Sequence, residues 1–153
     1  LVADSNAVHP HRSSHGVDPG RVGLLLAVLH RRVGLGVLGN DVYVMAVGGA
    51  KVLEPGADLP IALAVASSAL DVPLPGDLVA CGEVGLGGEL RAVVGLDRRL
   101  AEAARMGFRR AIVPASTPSV DAAIELLRVG SLDEAMAMAR GARVERRDPP
   151  PGR

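Results

Sequence analysis

A chain of 153 residues and 15.7 kDa is long enough to bury one substantial core and too short for two full domains. Hydrophobic residues make up 48% of it and aromatics only 1%, which excludes a disordered chain and leaves Val, Leu, Ala, Ile and Met to build the core. Lys+Arg 17 balance Asp+Glu 17, excluding a globally basic nucleic-acid binder, and the single cysteine, Cys81, excludes an internal disulfide or a thiolate-rich zinc site and suits a reducing compartment.

The first residue is Leu1 rather than Met and no leader pattern precedes the ordered part, so the chain reads as a piece of something longer. The longest apolar stretches, 22–29 and 59–66, are interrupted by Gly, Pro or charge well before they reach membrane-spanning length. Residues 1–17 mix His, Ser, Pro and Arg without a period and are expected to be an incoming linker, with a short strand at 1–3. From Asp18 the pattern becomes helical: Asp18 caps, Pro19 fits the first turn, and Val22, Leu25, Leu26, Leu29 and Val33 recur until Gly34 and Gly36 stop the run. Residues 41–48 (DVYVMAVG) predict a buried strand that turns at Gly48 and Gly49 into a second strand at 50–53, forming a hairpin.

Asp58 opens a second helix, apolar almost all round and therefore central, which ends before Pro73. Residues 77–84 and 89–94 predict another hairpin about the Gly-rich turn 85–88, and 96–106 an amphipathic helix closed by Gly107, followed by a short strand at 111–114. Helices are expected at 119–129 and 131–139, the second opened by a capping box of Ser131 and Glu134. Residues 142–153, with Pro149, Pro150 and Pro151 among charges, read as a disordered tail. The fold class is α/β (α+β), with 18–141 as its one domain.

Few residues offer chemistry. No GxxxxGK[ST] loop occurs, and the glycines at 85, 87 and 88 precede a strand rather than a helix, so neither a phosphate cradle nor a dinucleotide turn is present. His9, His11 and His15 lie close in sequence but without cysteines or supporting acceptors, His30 suits a helix C-terminus, Cys81 sits mid-strand among apolar neighbours, and Ser67 and Ser68 are expected to bond preceding carbonyls. Charge carries more information. Residues 41–89 hold one Lys against seven acids, a net of −6, whereas 91–110 hold six Arg against Asp97 and Glu102, a net of +4. A solvated helix face, a match of acidic and basic sides between subunits, and nucleic-acid contact all fit this polarity, and because every cation but Lys51 is Arg, forked donors for phosphate or carboxylate are at hand.

The segments GEVGLGGELRAVVGLDRRLAEAARMGFRRAIVP (82–114) and VLEPGADLPIALAVASSAL (52–70) together resemble the proteolytic domain of Lon. With LVA at the start, GVDPGRVGLLLAVLHRR (16–32) and DVYVMAVGGAKVLEPGADL (41–59), most of 1–141 is more closely similar to the C-terminal Lon-like domain of the bacterial RadA (Sms) DNA-repair family, with Gly20 and His30 standing where that family prefers Asn and an acid. Lon chemistry requires a Ser nucleophile activated by a desolvated Lys. By this resemblance Pro55, Gly56, Ala57 and Asp58 match the turn that bears the Ser, and Val94, Gly95, Leu96, Asp97, Arg98 and Arg99 match the stretch that bears the Lys, so Gly56 and Asp97 occupy the dyad positions and catalytic residues are expected to be absent.

The resemblance further implies a preceding RecA-like ATPase, with ATP, Mg and Zn in that part and no cofactor in this chain. It implies a cytoplasmic homo-oligomer, a hexameric ring that acts in branch migration with the RecA recombinase as partner. The expected role is ring scaffold and DNA contact through Lys51, Arg91, Arg98 and Arg99, reading the backbone because only Tyr43 and Phe108 could stack on bases. The competing expectations are an active Lon-type peptidase with an unrecognised nucleophile and a scaffold that never touches DNA.

Overall fold

The computed structural model describes residues 1–141, so the expected tail at 142–153 lies outside the described residues. In chain order the strands and helices are β1 (Val2–Asp4), β2 (Arg12–His15), α1 (Pro19–Arg32), β3 (Asn40–Met45), α2 (Asp58–Ala69), β4 (Leu78–Ala80), β5 (Glu83–Val84), β6 (Leu90–Arg91), α3 (Leu96–Arg105), β7 (Arg110–Pro114), β8 (Glu125–Val129) and α4 (Leu132–Gly141). Each helix is separated from the next by one to three strands, a mixed order consistent with the α/β class.

One sheet has the order β1-β3-β2, with β1 antiparallel and β2 parallel to β3; a second, β4-β7-β8, is parallel throughout; β5 and β6 form a separate hairpin. Strand β7 explains the layering. Alternate strand residues face opposite sides, and accordingly Ile112 packs into the main core with α1, α2 and α4, while Ala111 and Val113 join Leu96 and Leu100 of α3 in a second cluster. A parallel strand with helices over both faces must be apolar throughout, and positions 111–114 of β7 are all buried. α2 lies at the centre with Leu59, Ala62, Leu63, Val65 and Ala66 buried, as its nearly all-round apolar sequence demands. Among the described residues no helix is long and apolar enough to cross a membrane.

Four expectations need correction. Residues 1–17 are not a linker: β1 and β2 flank β3, Leu1 exchanges backbone hydrogen bonds with Tyr43, and Val42 donates to the His11 carbonyl. The second strand at 50–53 does not fold back on β3, because Gly48 and Gly49 take φ of +80° and +71° and send the chain towards Val17, where Val52 donates to the Gly16 carbonyl. The strand expected at 77–84 breaks at Gly82, whose N–H turns to the Gly56 carbonyl and whose carbonyl accepts from Leu59. The helix expected at 119–129 is absent: 125–129 is instead β8, with Leu126 and Leu127 packing on opposite clusters.

β3 ends at Met45 and is less buried than expected, with Val42 inside but Met45 68% exposed, and β6 keeps only Leu90–Arg91 of the strand expected at 89–94, while α1, α2, α3, β7 and α4 form close to the predicted bounds. Asp18 accepts from the Arg21 N–H at 2.7 Å to cap α1, and Gly107 (φ +93°) follows α3. Ser131 Oγ accepts from the Glu134 N–H at 3.2 Å, although the Glu134 carboxylate reaches the N–H of Gly130 rather than that of Ser131.

Candidate functional site

The segment Lys51 to Glu54 runs into a single turn, Pro55–Ala57, that feeds α2. Pro55 presets the turn, and the buried Gly56 brings the backbone close enough for its carbonyl to accept from Gly82 at 3.0 Å. A Cβ on Gly56 would meet Cys81 Sγ at 3.2 Å and Val93 Cγ2 at 3.3 Å, so the space beside this position is already filled. Burial pushes the Cys81 thiol above its ordinary pKa, which leaves it protonated and unreactive at neutral pH. Asp97 lies exposed in the first turn of α3, where the helix dipole favours a carboxylate. The positions of Gly56 and Asp97 therefore present a backbone and an acid.

A cleft of about 350 Å³ opens above this turn, lined by Lys51, Glu54, Gly56, Pro60, Ala80 and Arg99 among others. Through Glu54 and Arg99 it continues into a broad groove of about 1030 Å³ along α3, which adds Arg98, Arg105, Phe108 and Val94, the last 95% exposed. The structure thus brings Lys51, Arg98 and Arg99 onto one continuous surface, while Arg91 stands apart on β6.

Folding also neutralises much of the charge polarity along the chain. Arg99 pairs with Glu54, Arg91 with Glu89 at 2.5 Å, Arg105 with Glu102 at 2.6 Å and Arg110 with Asp77 at 2.7 Å, so four of the six arginines in 91–110 meet acids of their own chain. The Arg110 guanidinium holds the Asp77 carboxyl below its usual range; the Glu89 carboxyl is lowered by its own backbone N–H and then by Arg91. Lys51 and Arg98 form no ion pair among the described residues.

From the sequence Asp58 is expected to open a helix and to close the turn matched to Lon, not to be buried. It is 1% exposed, accepts from Arg21 Nε at 2.6 Å and from the Val84 N–H at 3.1 Å, and is bonded by Arg21 Nη2 as well. It therefore ties α1, α2 and β5 together, and the bond raises the Arg21 pKa. The sequence signal was an acid inside the first turn of an otherwise apolar helix. The serines also depart from expectation: Ser67 donates forward to the Val72 carbonyl, and Ser68 accepts from the Val2 N–H. His11 stacks at a tilt on Tyr43, 5.5 Å between ring centres, and among the described residues no three His, Cys, Asp or Glu side chains gather to hold a metal.

The cleft and α3 fall within residues 45–117, which match a family described as subunit ChlI of Mg-chelatase. Over a longer span the chain is similar to proteins named DNA repair protein RadA. It is 46% identical over 140 residues to that of Escherichia coli, covering 90% of this chain and 30% of the relative. It is 53% identical over 116 residues to that of Salmonella typhimurium (76% and 25%), and 41% over 131 residues to that of Mycolicibacterium smegmatis (86% and 28%). The chain spans between a quarter and a third of the length of these relatives.

Proposed function

We propose that this chain is a Lon-like module lacking the Ser–Lys dyad, carried by a RadA-type DNA-repair ATPase, where it serves as ring scaffold and backbone-contacting DNA surface. The observation that carries this reading is 41–53% identity to proteins named DNA repair protein RadA. The continuous surface bearing Lys51, Arg98 and Arg99 supports the DNA contact, with Arg91 on β6 as a second point. In this reading the ATPase, with its ATP, Mg and Zn, belongs to the remaining length of the longer protein, which works in the cytoplasm as a hexamer with the RecA recombinase in branch migration. A ring that repeats four weak phosphate contacts per subunit raises their effective concentration and gives salt-dependent, sequence-independent binding.

The test is a salt titration of duplex binding by the chain and by Arg91→Ala and Arg98→Ala/Arg99→Ala variants. The expected result is weaker binding, with the slope of log affinity against log salt flattened by about 0.9 for each phosphate contact removed. Light scattering with and without the duplex reads assembly in parallel. A second reading, scaffold without DNA contact, is favoured by the arginines already paired with acids of the chain, and unchanged slopes would select it.

A further inference from the structure

Two of the four side chains proposed to contact DNA are already engaged. Arg91 is held by Glu89, two residues earlier in the chain, and Arg99 by Glu54, which reaches it across the mouth of the cleft from 45 residues away in sequence. Glu83, the residue opposite Arg91 in the β5–β6 ladder, sits 4.0 Å from Arg21 instead. Lys51 and Arg98 carry no such partner among the described residues. Each glutamate engages one guanidinium nitrogen, and a phosphate competes with it for the same cation.

We propose that Glu54 and Glu89 set the DNA affinity of these two contacts by each holding a guanidinium nitrogen of Arg99 and Arg91, so that each phosphate competes with a carboxylate of the chain itself. This rests on the DNA-contact reading above. All four side chains are 42–61% exposed, and exposed pairs are weak, so the glutamates temper binding without preventing it. A displaced carboxylate stays beside the phosphate and retains a cation, which cancels part of the counterion release that drives association. The arrangement keeps a repair module from clinging to DNA at random while Lys51 and Arg98 supply the first attraction.

The experiment measures binding of the chain to a fluorescein-labelled 30-base-pair duplex over a salt series, with thermal unfolding of each variant alongside. Glu54→Gln and Glu89→Gln keep shape and hydrogen-bonding capacity; each is expected to tighten binding about two- to fivefold near 0.1 M salt and to steepen the slope by about 0.9. The gain from Glu89→Gln should vanish in an Arg91→Ala background, and that from Glu54→Gln in an Arg99→Ala background. Asp71→Asn, at φ +50° where Asn is tolerated, removes the same charge beyond the C-terminal end of α2, whereas the cleft lies at its N-terminal end, and should leave binding unchanged. The inference is overturned if the glutamine variants bind no tighter although Arg91→Ala and Arg99→Ala weaken binding, or if the gain persists in the alanine backgrounds or appears equally with Asp71→Asn. If the alanine variants bind DNA as the parent chain does, the contact reading itself fails and takes this inference with it.

Discussion

Asp58 concentrates more structural consequence than any other polar residue described. Its carboxylate is withdrawn from water and survives there because Arg21 and the Val84 N–H saturate it. Arg21 is one-third exposed and can turn to water, whereas the buried Val84 N–H loses its acceptor, so Asp58→Ala should lower unfolding free energy by about 1–3 kcal/mol in a urea titration, and Asp58→Asn should recover part of it by still accepting from Val84. At Gly56 the limit is space. The chain is expected to leave casein uncut on a gel, and Gly56→Ser to leave it uncut as well, because the added atoms press on Cys81 and Val93 and Asp97 offers no amine to take the proton.

Among elements, the starts of β4 and β7 are pinned by Asp77 and Arg110, with the Asp77 pKa lowered in the fold. A lowered carboxyl contributes stability above its unfolded pKa and loses it as pH falls through the folded value. Melting temperatures of the parent chain and Asp77→Asn should therefore differ by a constant amount above about pH 5 and converge below about pH 4. The elements that were legible in sequence had a period and punctuation of their own: α1 with Asp18 and Pro19, α2 with its apolar run, α3 between Gly95 and Gly107. Those that were not depend on a partner. The RSSH of β2 carries no β-branched residue and forms a strand because β3 offers it a ladder, and ELLRV of β8 could serve a helix equally well until β7 needs a second neighbour. The candidate site was legible as a charge pattern and a pair of substituted positions, but the Glu54–Arg99 and Arg21–Asp58 pairs join residues 45 and 37 apart, a separation on which sequence periodicity is silent.

For the whole molecule, a neutral chain with an acidic middle and a basic stretch after it folds so that the two meet along α3 and at the edge of the parallel sheet. What remains uncompensated on the cleft and groove is Lys51 and Arg98, so the exposed field is far smaller than the sequence totals imply. The order of synthesis adds a constraint. A ribosome delivers the acids of 41–89 before any arginine of 91–110, so a nascent or truncated product stopping near residue 90 bears unshielded negative charge and also lacks β7, the strand on which both apolar clusters converge. Stop codons or protease nicks before that point should yield aggregates or degradation products rather than a smaller working unit.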